Sequence, residues 1–211
     1  MTDDDRPMTN HGSRITDHES QSAPDGFRKR FYTPRTFAHD LGDIMSHMPE
    51  FRDTARSGRL SRSFAEKIMM AVTQVNGCRY CAYFHTKMAL REGVPPDEIE
   101  RLLGQEIGDF PEEEAVALAF AQHWAEMAGH ADPEAESRFR AYYGPQVSAD
   151  VLNWMRMINF GNLAGNTVDA FLSRLRGAPA KGSNPLGEFL IFLLCAPLTL
   201  PLLGRIRRAQ A

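Results

Sequence analysis

The sequence is short of the features that mark several large classes of protein. It has 3 cysteines in 211 residues, and its opening stretch, MTDDDRPMTN, lacks the apolar run of a secretory signal. A secreted disulfide framework is therefore not expected, and a reducing cytoplasm is. The formal net charge is only −3, so no strong field of either sign draws nucleic acid to the molecule as a whole. Period-two alternation of apolar and polar residues, the mark of a half-buried strand, is missing throughout. Large apolar side chains are nearly missing from residues 1–26, which are rich in Asp, Ser, Thr, Asn, Pro and Gly. Such a segment buries too little surface to offset the entropy of ordering, and a disordered leader is expected there.

Helical periodicity is what the chain does have. Phe37, Leu41, Ile44, Met45 and Met48 recur at helical spacing before Pro49 ends the run. Ser61 or Ser63 can cap a helix to about Val75, with Phe64, Ile68, Val72 and Val75 in one stripe. Asn76-Gly77 breaks it, and a second helix is expected from Cys78 to Arg91, stopped by Glu92-Gly93 and Val94-Pro95-Pro96. Asp97 with Glu100 reads as a capping box for a short helix to Leu103. Pro111 opens an alanine-rich helix through Ala128, and 134–143 and 149–175 read as two more. The expected fold is all-α, a bundle of antiparallel helical hairpins over residues 27–180, since the length suits one core and the connections are short.

Residues 186–204 differ in character, being almost wholly apolar, interrupted by Pro197 and Pro201 and followed by Arg205, Arg207 and Arg208. The uncharged part, Phe189 to Leu203, would be about 22 Å long as a helix, short of the roughly 30 Å hydrocarbon layer, and the prolines would kink it. That favours surface insertion, a peripheral membrane contact through 186–208, over spanning. The competing expectation, given the greater weight, is packing on protein at a subunit interface.

The chemistry concentrates in VNGCRYCAYFH, residues 75–85. On a helix, Cys78 and Cys81 share a face with Cα atoms about 5 Å apart, inside the range where a disulfide closes in place. His85 lies one turn beyond Cys81, where an imidazole can take a thiol proton. Cys78 sits in the first turn, where free N–H groups and the helix dipole favour a thiolate. Glu66 lies about 15 Å before the Asn76-Gly77 break and His85 about 12 Å after it, so an antiparallel hairpin would bring carboxylate and imidazole level. Three readings compete: a redox dithiol, a zinc site of Cys78, Cys81, His85 and Glu66, and two cysteines packed as small hydrophobes beside a satisfied histidine.

Glu66, eleven intervening residues and then NGCRYCAYFH resemble the alkylhydroperoxidase D (AhpD) and carboxymuconolactone decarboxylase superfamily, whose peroxidase branch carries Glu-x(11)-Cys-x-x-Cys-x-x-x-His. The resemblance covers residues 37 to about 175 and excludes the leader and the apolar tail. It implies an AhpD-like all-α fold assembled as trimers or hexamers, and a thiol peroxidase without metal or haem that reduces hydroperoxides. By the same resemblance Cys81 is the peroxidatic cysteine, Cys78 resolves it as a disulfide, and Glu66 and His85 relay protons. An external dithiol, thioredoxin-like or lipoyl reductant then reopens the disulfide. One position departs from the pattern: Tyr80 stands where the AhpD relay has a histidine. The decarboxylases proper lack the cysteine pair, so ring-acid decarboxylation is not expected. The alternative on the same scaffold is a thiol-disulfide exchange or redox-sensing module.

Outside this cluster, His123 and Trp124 are expected in the core, and Cys195 as a buried small hydrophobe. Asn159, Asn162 and Asn166 line one face of the last core helix, where buried amides need partners; hydrogen bonds between helices or subunits are expected.

Overall fold

A computed structural model describes residues 29–209; the expected leader, 1–26, lies outside the described residues. Among the described residues there are eight helices and no strand. They are α1 (Pro34–Ser46), α2 (Met48–Ser57), α3 (Arg62–Asn76), α4 (Arg79–Arg91), α5 (Pro96–Leu103), α6 (Glu112–Glu126), α7 (Pro133–Leu175) and α8 (Pro185–Ala209). The all-α expectation holds.

Local chemistry sets the bounds of the site hairpin. Ser61 is the N-cap of α3, its hydroxyl accepting from the Phe64 N–H at 3.1 Å. Gly77 ends α3 at φ 68°, a left-handed position open to glycine, and its N–H bonds back to the Thr73 carbonyl at 2.8 Å. Cys78 then caps α4, so one glycine turns the chain between the two helices.

Around this hairpin, α3 is the central element, packed against α4, α5, α6 and α7. Its Ile68, Met70 and Val72 are fully buried with Leu118 and Ala121 of α6 and Val151 and Met155 of α7. Lys67, also on α3, is buried with its ammonium 2.5 Å from Glu98 and 2.6 Å from Glu114. Burial pulls its pKa down, but the two carboxylates outweigh that and raise it. The expected amide face of α7 is realised as bonds between helices. Asn166 donates to the Asn76 carbonyl at 2.8 Å, Asn162 accepts from Thr73 at 3.1 Å, and Asn159 accepts from Asn76 at 3.0 Å.

Four boundaries differ from expectation. The run through Met48 ends at Ser46, and Pro49 instead lies in the first turn of α2, where its missing N–H costs nothing. Helix α5 has no side-chain cap, because its N-cap position is Pro95; Asp97 lies inside the first turn and pairs with Arg101 at 3.1 Å. The two expected segments at 134–143 and 149–175 abut within α7, with the bend confined to Gly144 at φ 74° before Pro145. Helix α8 continues through Pro197 and Pro201 where a kink was expected; the whole helix is about 37 Å long and its uncharged part about 22 Å. Both prolines lie on its exposed side, where the carbonyls they leave unbonded reach water.

Helix α8 lies along α7, α4 and α1. Its buried face carries Glu188, Ile191, Thr199 and Ile206 at helical spacing. At its start Glu188, 1% exposed, pairs with Arg174 at 2.6 Å. A Cβ at Gly187 would fall 2.5 Å from the Pro34 ring, so α8 and α1 are in close contact there. By length and composition α8 is the one described helix able to cross a membrane.

Candidate active site

The α3–α4 hairpin brings the four residues singled out in the sequence to one end of the bundle. The Cys78 and Cys81 sulfurs are 2.8 Å apart, and both are free thiols. His85 Nδ1 lies 2.7 Å from Glu66 Oε2, with both side chains nearly buried at 12% and 11% exposure. The turn at Gly77 thus does what the spacing argument required: it levels a carboxylate on α3 with an imidazole on α4.

The two thiols are not equivalent. Cys78 is 1% exposed, and its sulfur accepts the Cys81 backbone N–H at 3.4 Å in the open first turn of α4. The hydrogen bond between the two sulfurs and these N–H groups lower the Cys78 pKa against the opposing effect of burial. The Cys81 thiol is pushed well above its ordinary value, first by that same hydrogen bond and then by burial. Cys78 is therefore the more acidic of the two thiols, as the helix dipole predicts.

Access runs the other way. Cys81 and His85 border a cavity of about 260 Å³, and Cys78 lies behind them. Met69, Phe84, Met157 and Ile158 supply apolar walls from α3, α4 and α7. Helix α8 closes the remaining side with Leu198, Thr199 and Leu202. A larger cavity of about 610 Å³, lined by Arg30, His39, Asp40 and Arg156 among others, does not include the sulfurs.

Tyr80 borders the cavity with its ring, but its hydroxyl donates to Asp169 of α7 at 2.7 Å. Burial, then that bond, raises its pKa further above its ordinary range. Asp169 also pairs with Arg79 at 2.5 Å and with Lys29 at 3.2 Å. The tyrosine thus ties the first turn of α4 to α7 and carries no proton for the thiols. This tie was not visible in the sequence, since Asp169 lies 89 residues from Tyr80.

Glycine allows the approach of α7 to the sulfurs. A Cβ at Gly165 would sit 2.7 Å from Cys78 Sγ and 3.3 Å from the Tyr80 ring, closer than packed atoms tolerate. Among the described residues no group of three or more His, Cys, Asp and Glu side chains is arranged to hold a metal ion. Cys195 packs beside the pair's apolar surroundings, where burial raises its pKa. Trp124 is buried in the core, and His123 accepts the Asp132 N–H at 3.2 Å.

Residues 42–123 match the Carboxymuconolactone decarboxylase family, and that range contains Glu66, Cys78, Cys81 and His85. An uncharacterized protein of Bacillus subtilis (strain 168), YdfG, is 29% identical over 121 residues, 56% of this chain and 82% of its own length. No solved structure matches the chain. Helices α7 and α8, which contribute Gly165, Asp169 and one cavity wall, lie beyond the matched range.

Proposed function

We propose, from the match of residues 42–123 to the Carboxymuconolactone decarboxylase family, that the protein is an AhpD-like thiol peroxidase that reduces organic hydroperoxides through the Cys78–Cys81 pair. The observation that carries this reading is a pair of free thiols in contact, one of them facing a cavity beside a carboxylate-held histidine. Cys81 is the attacking residue because its sulfur borders the cavity and that of Cys78 does not.

The chemistry balances with the groups at hand. The Cys81 thiol gives its proton to the His85–Glu66 pair, leaving a Cys81 thiolate. That thiolate attacks the peroxide; a sulfur–oxygen bond forms, the O–O bond breaks, and the departing alkoxide takes a proton from the His85–Glu66 pair. The Cys78 thiol then displaces hydroxide from the Cys81 sulfenic acid, giving the disulfide and water. An external dithiol, thioredoxin-like or lipoyl, supplies two electrons and two protons to restore the start. The protein works in a reducing cytoplasm, as a homo-oligomer of trimeric or hexameric size; light scattering tests the assembly.

The reading is tested by peroxide consumption with a dithiol reductant. Purified protein should consume cumene hydroperoxide, Cys81→Ser should abolish this, and Cys78→Ser should stop after one equivalent with a sulfenic acid on Cys81. Glu66→Gln should lower kcat by about 10²-fold or more, the range for a lost proton-transfer group. Wild-type turnover no faster than Cys81→Ser defeats the proposal; disulfide exchange with a reduced partner under those conditions would identify an exchange module instead.

A further inference from the structure

Helix α8 presents two faces with different demands. Its inner face is fixed on the bundle by the buried Glu188–Arg174 pair and the contact of Gly187 with Pro34 at one end. Leu203 and Ile206, buried with Cys78 and Tyr80, fix the other. Its outer face exposes Leu186, Leu190, Leu193, Leu194 and Leu198, a stripe at helical spacing with Leu194 and Leu198 at 69% and 74% exposure. A stripe of this kind is too apolar to stay in water without a partner.

Charge decides between the candidate partners. Exposed Arg205, Arg207 and Arg208 follow the stripe at its C-terminal end, and exposed Arg176 and Lys181 precede it. The only acidic residue of α8, Glu188, is buried on the inner face and already paired. A second copy of the helix would therefore offer these cations no acidic counterpart, whereas an anionic lipid surface matches an apolar stripe with basic ends. We propose that α8 lies flat on an anionic bilayer surface through this outer face, without leaving the bundle.

Crossing the bilayer would strip Glu188 of Arg174 and bring a carboxylate into hydrocarbon. Lying on the surface costs neither, and leaves the carbonyls freed by Pro197 and Pro201 at headgroup level, where water reaches them. Leu198 belongs both to the outer stripe and to the wall of the cavity over Cys81, so docking sets that cavity beside the lipid. The docking surface stands on its own observations and does not depend on the peroxidase reading.

Vesicle co-sedimentation of the full chain tests it, with phosphatidylcholine alone and with an equimolar phosphatidylcholine–phosphatidylglycerol mixture. The protein should bind the anionic vesicles, and salt should weaken the binding. Replacing Arg205, Arg207 and Arg208 by Gln should reduce it about tenfold or more. The double substitution Leu190→Glu/Leu194→Glu should also cut it about tenfold or more, with unchanged helical circular dichroism and thermal midpoint. Neither leucine borders the cavity, so consumption of tert-butyl hydroperoxide should be unchanged; failure of that activity in wild type would count against the peroxidase alone. Wild type that binds neither vesicle, or a folded double variant that binds as well as wild type, overturns the proposal. So does an oligomer that the double substitution splits while no vesicle is bound, since a second copy then covers the face.

Discussion

Two glycines one turn apart on α7 should respond to the same substitution with opposite signs. At Gly165 a Cβ would lie 2.7 Å from the Cys78 sulfur and 3.3 Å from the Tyr80 ring. Neither neighbour yields easily: Tyr80 is tied to Asp169, and Cys78 is the capping residue of α4. Overpacking of this kind costs about 1–3 kcal/mol, which for a chain of this size lowers the thermal midpoint by about 2–12 °C. At Gly161, a Cβ would meet nothing within 4 Å. There alanine removes glycine's backbone entropy cost and should stabilise by about 0.5–1 kcal/mol. Calorimetry of Gly165→Ala and Gly161→Ala in the reduced protein reads both. Thiol titration should also find the Gly165→Ala pair faster to modify, because the added methyl pushes Cys78 from its seat. If Gly165→Ala melts at or above the wild-type temperature, the close approach of α7 to the sulfurs is wrong.

Two further outcomes follow from the charges. Cys78 owes its lowered pKa first to the Cys81 thiol, so thiolate absorbance at 240 nm in Cys81→Ala should appear at higher pH than in wild type; an unshifted curve would remove the basis for making Cys78 the more acidic thiol. Asp150, buried against Arg59 at 2.5 Å and Thr54 at 2.7 Å, has a pKa held down by these partners despite burial. A depressed folded pKa contributes stability that is present above the unfolded value and lost as pH falls through the folded one. Asp150→Asn should accordingly cost about 1.5–3 kcal/mol near pH 7, and urea titrations of the two proteins should converge below about pH 4.

The parts of the fold that could be read from sequence are those with local causes. Ser61, the Asn76-Gly77 break and the cysteine spacing are all short-range signals, and they placed the hairpin that joins Glu66 to His85. Signals with two local meanings were misread. Pro49 serves as well to open α2 as to close α1, and Asp97 can pair along its helix as readily as cap it. Pro197 and Pro201 signal a break only when the face they occupy is buried, and burial is a tertiary fact. The same holds for Gly165 and Asp169, whose roles exist only because α7 passes the first turn of α4. Which thiol is the more acidic and which meets the cavity could not be separated by spacing, because both sulfurs share one helix face.

Glu66 and Lys67 are consecutive on α3, each buried and each held by polar partners, Glu66 by His85 and Lys67 by Glu98 and Glu114. Neighbouring residues on a helix point about 100° apart, so the two pairs grip α3 from different sides like opposed set-screws on a shaft. A twist of α3 about its own axis would break both at once and leave buried polar groups unpaired on either side, a penalty far steeper than that of sliding apolar surfaces. The angular setting of the Glu66 carboxylate is in this way clocked by an ion cluster that never touches the sulfurs. Lys67→Met, by that logic, would loosen the aim of Glu66 while leaving its environment chemically intact.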